Sequence, residues 1–277
     1  MIQEVPNIFQ TQTNHEYPPF NKMVFEEYFM SIFLTHSKDT ERVYLPIMWT
    51  SFYISRKYGT ADMSDLQNFL DSLDRSKKYF TILQYDDGIL QDLKDLDILI
   101  FGAGGGGKNT KSVKNLGYPI PLLCQPSPRV IKDKDILCSF AGTIKNHPIR
   151  RKLNDLYNKK FVIRENIGYK EFINLMERSV FSLCPRGYGA TSFRICESLQ
   201  HGSIPIYVYD RPWIPWFEEF NFSEIGILIS EEEIPNIAKI IQSISDEEIE
   251  QYVKNGEVVY KEYFTFDGCT KHILNLL

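Results

Sequence analysis

The stretch Phe181–Ile206, which reads FSLCPRGYGATSFRICESLQHGSIPI, decides the fold of this chain. Apolar residues at 180–184 predict a buried strand, and the glycines that follow predict a turn. Residues 191–200 have helical spacing, and Gly202 is placed to end that helix. Residues 204–209 are β-branched and aromatic, which predicts a second strand. A strand, a turn, a helix and a strand in this order form one unit of a parallel sheet covered by helices.

The same alternation continues on both sides of this stretch. Hydrophobic runs predict further strands at 43–48, 79–83, 97–101, 136–142 and 160–163. Helical spacing predicts helices at 20–33, 62–73, 148–157, 170–178, 234–243 and 246–263. Four prolines within 118–129 predict a crossover between domains. We therefore expect an α/β fold with two Rossmann-like domains that face each other across a cleft. The predicted domains are 1–130 and 131–277, with the last helix able to pack back on the first domain.

Composition narrows the function classes. Of the 277 residues, 43% are hydrophobic and 24% are charged, which is typical of a globular protein. The net charge of −5 argues against nucleic acid as a partner, because such proteins are usually basic. No run approaches the ~18 apolar residues of a membrane span, and the first residues do not resemble a secretory leader. The composition thus predicts a cytoplasmic protein without an integral membrane segment.

The turn and helix within 185–200 carry groups suited to an anion. Thr191 or Ser192 is placed to cap the helix, whose first N–H groups would then be free for a phosphate. Arg186 follows a strand at its carboxyl end, where a guanidinium can contact a diphosphate with two hydrogen bonds. Arg194 and Glu197 are three positions apart. They either belong to this site or form an ion pair that only ties the helix to the sheet.

This stretch resembles the signature of the exostosin-like glycosyltransferases. The matching residues are Phe181, Leu183, Pro185, Arg186, Gly187, Ser192, Phe193, Arg194, Glu197, Leu199, Gly202 and Pro205. Two further elements of the family agree in order: residues 140–143 with Arg150 and Leu153, and residues 79–88, which end in Asp86, Asp87 and Gly88. The resemblance is strong from about residue 135 to 266 and faint before it. The membrane anchor and stem usual in the family are missing, which suggests a compact bacterial or viral member, cytoplasmic or peripheral at a membrane surface.

The resemblance implies a GT-B fold and an inverting, metal-independent transfer from a UDP-sugar to a hydroxyl of an oligosaccharide or a glycoprotein glycan. UDP-xylose is the first choice of donor, followed by UDP-glucuronate, UDP-galactose and UDP-arabinose. Arg186 would contact the diphosphate, Glu197 would hold the ribose, and Arg194 would orient Glu197 or touch a phosphate. The remaining residues implied for the nucleotide-sugar site are Gly142, Thr143, Lys145, Arg150, Gly187, Tyr188, Thr191 and Ser192. Arg150 is equally compatible with a solvated position on a helix.

Inversion requires a base that takes the proton of the acceptor hydroxyl. Asp86 and Asp87 follow a predicted strand of the first domain, and two adjacent carboxylates can raise each other's pKa. Asp86 matches the family position and is the preferred base. A simple Asp-Asp-Gly turn explains the same residues. His15, His36 and His147 are fallback candidates.

Three other interpretations remain open. The run Gly102–Lys108 nearly fits a phosphate loop and would make the chain an NTP-dependent kinase, although Asn109 stands where that loop needs Ser or Thr. The chain is also compatible with a catalytically degenerate subunit that binds a sugar or nucleotide. The pairs Asp95/Asp97 and Asp133/Asp135 have the spacing of a metal-binding DxD motif, but both precede predicted strands.

Overall fold

The computed structural model describes residues 1–10, 24–35, 40–104, 117–156, 161–215 and 220–277. Its strands are β1 (Val43–Tyr44), β2 (Tyr79–Leu83), β3 (Ile98–Gly102), β4 (Tyr118–Pro119), β5 (Ile136–Ala141), β6 (Phe161–Arg164), β7 (Ser179–Pro185), β8 (Ile204–Tyr209) and β9 (Ile227–Ser230). Its α-helices are α1 (Phe25–Thr35), α2 (Trp49–Ser55), α3 (Ser64–Asp71), α4 (Pro148–Lys152), α5 (Tyr169–Glu177), α6 (Phe193–Gln200), α7 (Ile237–Gln242), α8 (Asp246–Tyr263) and α9 (Phe266–Leu276). Within these ranges, no helix is both long and apolar enough to cross a membrane.

The strands form two parallel sheets, one in each of two compact units. The first sheet has the order β1-β2-β3-β4, and the second has the order β6-β5-β7-β8-β9. All the strand pairs within them are parallel. Helices cover these sheets, so the prediction of an α/β chain with two Rossmann-like domains, as in the GT-B fold, is confirmed.

The unit boundaries differ from the predicted domains. The first unit contains residues 1–125 and 266–277, and the second contains residues 126–265. The chain passes between them at Pro126, inside the proline-rich stretch and five residues before the predicted boundary at 131. Helix α9 belongs to the first unit because the Phe266 ring packs 5.5 Å from Phe25 and 5.4 Å from Tyr28. The Tyr28 hydroxyl also donates a hydrogen bond to Asp267.

Strand β2 is the centre of the first unit and is buried along its whole length. Alternate side chains of a strand face opposite sides of the sheet. Tyr79 and Leu83 accordingly pack in a core with residues of α2 and α3. On the other side, the Phe80 ring stacks on Tyr44 and meets Phe33 of α1 edge-on. Helices therefore cover both faces of this sheet.

A buried carboxylate ties three elements of this unit together. Glu26 of α1 accepts hydrogen bonds from the Gln84 N–H at 2.8 Å, the Thr50 hydroxyl at 2.8 Å and the Thr50 N–H at 3.1 Å. Thr50 lies in the first turn of α2, and Gln84 directly follows β2. Burial raises the pKa of Glu26 to about 7, although these hydrogen bonds oppose the rise. The Glu26 side chain thus holds the end of β2 in place, although its burial disfavours the charged form of this carboxyl group.

The second unit repeats the layered plan. Phe181 and Leu183 of β7 pack with Ile149 of α4 and Ile237 of α7. On the opposite face, the Cys184 sulfur lies 3.4 Å from the Ser198 hydroxyl of α6. Helix α6 ends as predicted, because Gly202 has a φ of +69° and its N–H donates to the Leu199 carbonyl.

Candidate functional site

The order of the second sheet marks where a ligand is expected. β5 lies between β6 and β7, so the chain continues from β5 to one side and then from β7 to the other. Ligands of doubly wound sheets bind at the carboxyl ends of the strands that flank such a reversal. Gly142 and Thr143 directly follow β5, and Arg186 directly follows β7. The fold therefore brings these predicted site residues to one edge of the sheet.

Arg186 is buried at this edge, with 8% of its surface exposed. Its Nε donates to the Gly189 carbonyl at 2.9 Å, and Nη2 donates to the Tyr188 carbonyl at 2.8 Å. Nη1 donates to Asp210 Oδ1 at 2.7 Å. The guanidinium is thus held by its own loop and by a carboxylate after the next strand, β8. Contact with a diphosphate remains a prediction for this residue.

Arg150, on α4, braces the backbone of the same edge. Its Nε donates to the Arg186 carbonyl at 2.8 Å, and Nη1 donates to the Thr143 carbonyl at 3.1 Å. The guanidinium also lies 5.7 Å from the centre of the Phe140 ring. Because the residue is only 9% exposed, the alternative of a solvated helix position is wrong. Arg150 connects the segment after β5 to the segment after β7.

Arg194 and Glu197 form the predicted pair on α6, with 2.7 Å between Nη1 and Oε2. The Arg194 Nη2 also donates to the Ala141 carbonyl at 2.6 Å, and the guanidinium lies 4.2 Å over the Phe172 ring. The pair therefore does tie α6 to the end of β5, as one interpretation held. The Glu197 side chain is still 20% exposed, which leaves it accessible to a ligand hydroxyl.

The start of α6 supplies N–H groups. The Ser192 hydroxyl caps the helix by accepting the Arg194 N–H at 3.3 Å. The loop before it is closed by the Gly187 N–H, which donates to the Thr191 carbonyl at 2.9 Å. The positive end of the helix dipole lies here and favours a negatively charged ligand. Tyr188 projects from the same loop and is exposed.

Two buried arginines, Arg150 and Arg186, and the partly buried Arg194 together change the electrostatics of the edge. They donate to the carbonyl oxygens of Ala141, Thr143, Pro185, Arg186, Tyr188 and Gly189. An anion near these strands would otherwise meet the negative ends of those carbonyl groups. Lys145 adds a further positive charge at the surface, where it is exposed and has no partner among the described residues. The edge is suited to a phosphate-containing ligand, although the whole chain is acidic.

Asp210 and Glu165 are two carboxylates that the sequence did not single out. Glu165 follows β6, and its Oε1 accepts the Ile144 N–H at 2.7 Å, which holds the segment after β5. Burial raises the pKa of Asp210, but the hydrogen bond and charge of Arg186 outweigh it, so the pKa is lowered overall. Asp210 directly follows a predicted strand, and Glu165 lies two residues after one. The rule that pointed to Arg186, a polar residue at the carboxyl end of a strand, would have found them.

His147, a fallback candidate, caps α4 at the same edge. Its Nδ1 accepts the Ile149 N–H at 3.3 Å, and its Nε2 lies 3.7 Å from Asp210 Oδ2. Burial, followed by the charge of Arg186, lowers the pKa of His147. The imidazole is therefore neutral at physiological pH. His15 and His36 lie outside the described residues.

Asp86 and Asp87 lie in the first unit, three and four residues after β2 ends. Both are half-buried in a turn closed by the Gly88 N–H, which donates to the Tyr85 carbonyl at 3.0 Å. Gly104 passes so close that a Cβ on it would lie 2.0 Å from the Asp86 carbonyl oxygen. The start of the glycine-rich run therefore packs against Asp86. Residues 105–109, which include Lys108 and Asn109, lie outside the described part of the chain.

The two DxD pairs lie at the opposite ends of their strands. Asp97 precedes β3 and pairs with Arg42 at 2.6 Å, and Asp135 precedes β5 and pairs with Arg178. In the described ranges, no group of three or more His, Cys, Asp and Glu side chains is arranged to hold a metal ion.

Comparison with known proteins gives a family match that includes the second sheet. A model of the exostosin GT47 domain matches residues 100–244, just over half of the chain. This range contains β5 to β9 with Arg150, Arg186, Arg194 and Glu197, whereas Asp86 and Asp87 lie outside it.

Three curated relatives match shorter segments. A probable glycosyltransferase of Arabidopsis thaliana is 31% identical over 132 residues, which cover 45% of this chain and 24% of that protein. A probable glucuronosyltransferase of Oryza sativa subsp. japonica is 36% identical over 74 residues, 27% of this chain and 17% of that protein. A probable beta-1,4-xylosyltransferase of Arabidopsis thaliana is 34% identical over 74 residues, 27% of this chain and 18% of that protein. The matched part is thus no more than about a quarter of the length of each relative.

Proposed function

The chain belongs to the exostosin GT47 family, and on that premise we propose that it is an inverting glycosyltransferase that uses a UDP-sugar. The acceptor is a hydroxyl group of an oligosaccharide or of a glycan on a glycoprotein. The observation that carries the proposal is the edge of the second sheet, where Arg150, Arg186 and Arg194 hold the backbone carbonyl groups and the start of α6 supplies N–H groups for a diphosphate.

The donor is proposed to bind with its diphosphate near Ser192 and the first turn of α6. Lys145 is exposed and free to pair with a phosphate oxygen. Glu197 is proposed to accept hydrogen bonds from the ribose hydroxyls, while Arg194 holds it in place at 2.7 Å. Arg150 and Arg186 keep the loops after β5 and β7 in position. Charge that develops on the leaving UDP would be stabilised by these preorganised donors.

The reaction is a single displacement. The acceptor oxygen forms a bond to the anomeric carbon while the bond from that carbon to the β-phosphate oxygen of UDP breaks. The electron pair of the broken bond leaves with UDP, and the acceptor proton passes to a base. We propose Asp86 as that base, with Asp87 as the alternative. This role requires the carboxylate to come within hydrogen-bond reach of the acceptor hydroxyl. No metal ion takes part in the proposed mechanism.

The donor sugar is proposed from the relatives' names together with the resemblance. One relative is named a xylosyltransferase and another a glucuronosyltransferase. UDP-xylose and UDP-glucuronate differ only by a carboxyl group on C5 of the sugar, so both place the same nucleotide and diphosphate at the second unit. We propose UDP-xylose as the first donor to test and UDP-glucuronate as the second.

The experiment measures UDP release from a panel of UDP-xylose, UDP-glucuronate, UDP-galactose and UDP-arabinose, with and without oligosaccharide acceptors. Acceptor-dependent release from one donor is expected. UDP binding without release from any donor would indicate a degenerate binding subunit. Binding of ATP but not of UDP would favour the kinase interpretation and overturn the proposal.

A matched pair of variants locates the site. Ser192 caps α6, and Ser245 caps α8 in the same unit by accepting the Glu248 N–H at 3.2 Å. Each change to Ala removes one helix cap, which typically costs ~1 kcal/mol of stability. UDP affinity is expected to fall in Ser192→Ala and to stay unchanged in Ser245→Ala. Equal UDP affinity in both variants would place the nucleotide elsewhere.

A further inference from the structure

Asp210 has no part in the donor contacts proposed above. It directly follows β8, and Arg186 directly follows β7, the strand paired with β8. Arg186 Nη1 lies 2.7 Å from Asp210 Oδ1 and 3.0 Å from Oδ2. A single guanidinium nitrogen is thus shared by both oxygens of one carboxylate.

The rest of the guanidinium is turned back onto its own loop. Nε and Nη2 hold the carbonyl oxygens of Gly189 and Tyr188 at 2.9 and 2.8 Å. A planar group with donors on three nitrogens has one orientation that satisfies all these acceptors at once. Asp210 accepts the hydrogen bonds that Arg186 donates outside its own loop. Without it, the loop carbonyls alone would have to fix the orientation of Arg186.

The loop held in this way leads directly into the proposed diphosphate site. Its carbonyl groups at 188 and 189 face the guanidinium, and Ser192 at its end caps α6. A loop that lost this support would allow those carbonyl oxygens to turn towards the ligand, where they would repel a phosphate.

We propose that Asp210 is a positioning residue for the donor: it fixes Arg186, which in turn shapes the loop at 187–191 for the diphosphate. The inference rests on the proposed function and goes beyond it, because it assigns a role to a carboxylate in an anion site. Asp210 itself need not touch the donor. Its side chain is 32% exposed, compared with 10% for Arg186, so it lies at the outer side of the pair.

The same sheet provides a matched control. Asp135 and Arg178 form a two-point pair in which Arg178 Nε donates to Asp135 Oδ1 at 2.8 Å and Nη2 donates to Oδ2. These residues precede β5 and β7, at the amino ends of the strands. Replacing Asp135 therefore removes an Arg–Asp pair of the same chemistry from the edge opposite the site.

The test is titration of UDP into the wild type, Asp210→Asn and Asp135→Asn, with thermal melting of each variant. Asp210→Asn is expected to bind UDP roughly tenfold more weakly or worse, the scale of one hydrogen bond between charged groups. Asp135→Asn is expected to bind like the wild type. Asp210→Glu, which keeps the charge, is expected to bind UDP better than Asp210→Asn.

A double variant separates positioning from general damage to the fold. Arg186→Lys keeps the positive charge but cannot reach all three acceptors, so it should already have lost the loop geometry. Adding Asp210→Asn to Arg186→Lys is then expected to weaken UDP binding little further, although the two single changes each weaken it. Should Asp210→Asn fail to fold, Arg186→Lys and Asp210→Glu carry the test, and wild-type affinity in Arg186→Lys would overturn the proposal.

The remaining outcomes are distinct. Wild-type UDP affinity in Asp210→Asn would show that Asp210 has no positioning role. Tighter binding in Asp210→Asn would show that the carboxylate competes with phosphate for Arg186, which also overturns the inference. If the wild type itself binds no UDP, the proposed function fails, and the inference fails with it.

Discussion

Glu26 makes the stability of the first unit depend on pH in a direction opposite to that of most carboxylates. The change to test is Glu26→Gln, which removes the titrating group and keeps its size. Glu26 is buried on α1 and accepts three hydrogen bonds from Thr50 and Gln84. Glutamine can accept some of these but presents an NH₂ group to one of the N–H donors. The variant is therefore expected to be less stable than the wild type at acidic pH.

The magnitude follows from the pKa. Burial raises the pKa of Glu26 from 4.5 to about 7. An unfolded chain releases this proton near the lower pKa, whereas the folded chain keeps it until the higher one. The raised pKa means that the free energy of unfolding falls as pH rises from 4.5 to about 7 and is constant above that. The total decrease from this group is roughly 3 kcal/mol.

The assay is urea denaturation of the wild type and Glu26→Gln between pH 4.5 and 8. Trp49 lies in the first unit, so its fluorescence reports this unit when Trp213 and Trp216 are both replaced by Phe. Other carboxylates titrate in both proteins and cancel in the difference. The stability advantage of the wild type over the variant should therefore shrink by roughly 3 kcal/mol across this range.

Two controls accompany the measurement. Glu27 is adjacent and its pKa is also raised by burial, so Glu27→Gln is measured separately. Glu247→Gln, an exposed position in the first turn of α8, supplies the baseline for the same substitution in the other unit. A stability difference between wild type and Glu26→Gln that does not change with pH, or that grows as pH rises, would refute the reasoning.

Four further outcomes concern the proposed activity. Arg186→Ala is expected to lower turnover about 100-fold or more and also to lower the melting temperature, because two loop carbonyls lose their donors at a cost of about 1–3 kcal/mol each; an unchanged melting curve would contradict the structural part. Asp86→Asn should lower turnover while UDP affinity, measured by titration, stays at the wild-type value; a parallel loss of affinity would count against a base. Lys145→Ala should weaken binding of UDP but not of uridine, since only UDP carries the diphosphate, and equal losses for both ligands would exclude a phosphate contact. Transfer should persist in excess EDTA, and its abolition would establish a metal requirement.

The sequence predicted best where local signals decide the structure. Strand β8 and helix α8 have the predicted bounds, 204–209 and 246–263. Helix α8 begins with a capping box in which Ser245 and Glu248 satisfy each other's backbone N–H groups. Strand β8 is a continuous run of β-branched and aromatic residues around one proline. In both cases, residues within the element specify it.

The sequence was a poorer guide to elements whose structure depends on packing against residues far away in the chain. The last predicted helix was 246–263, and no helix was predicted after it, because the packing partners of α9, Phe25 and Tyr28, are more than two hundred residues away in sequence. Strand β9 was not predicted, and it is only four residues long and pairs with β8, an element almost twenty residues earlier in the chain. A glutamate on a helix is normally expected to face solvent, and only the tertiary structure shows that Glu26 is buried.

In the candidate site too, the sequence predicted which residues take part but not how they contact one another. Residue types and spacing led to Arg186, Arg194, Glu197 and Ser192, and the fold brings them to one edge of the second unit. The hydrogen-bond partners of Arg186 could not be predicted, because they depend on how the loop at 187–191 turns back on itself. The structure shows that the Arg186 guanidinium supports this loop, and its contact with a diphosphate stays a prediction.

The return of α9 to the first unit has a consequence for biosynthesis. A ribosome releases the chain from its amino end, so residues 126–265 are complete and free to fold before Phe266 emerges. The first unit, although it is begun earlier, lacks the aromatic partner of Phe25 and Tyr28 until Phe266–Leu276 is made. The second unit is therefore expected to reach its final form first during synthesis. A chain truncated before α9 would carry a complete second unit and an incomplete first unit with exposed phenylalanines, a target for chaperones and proteases.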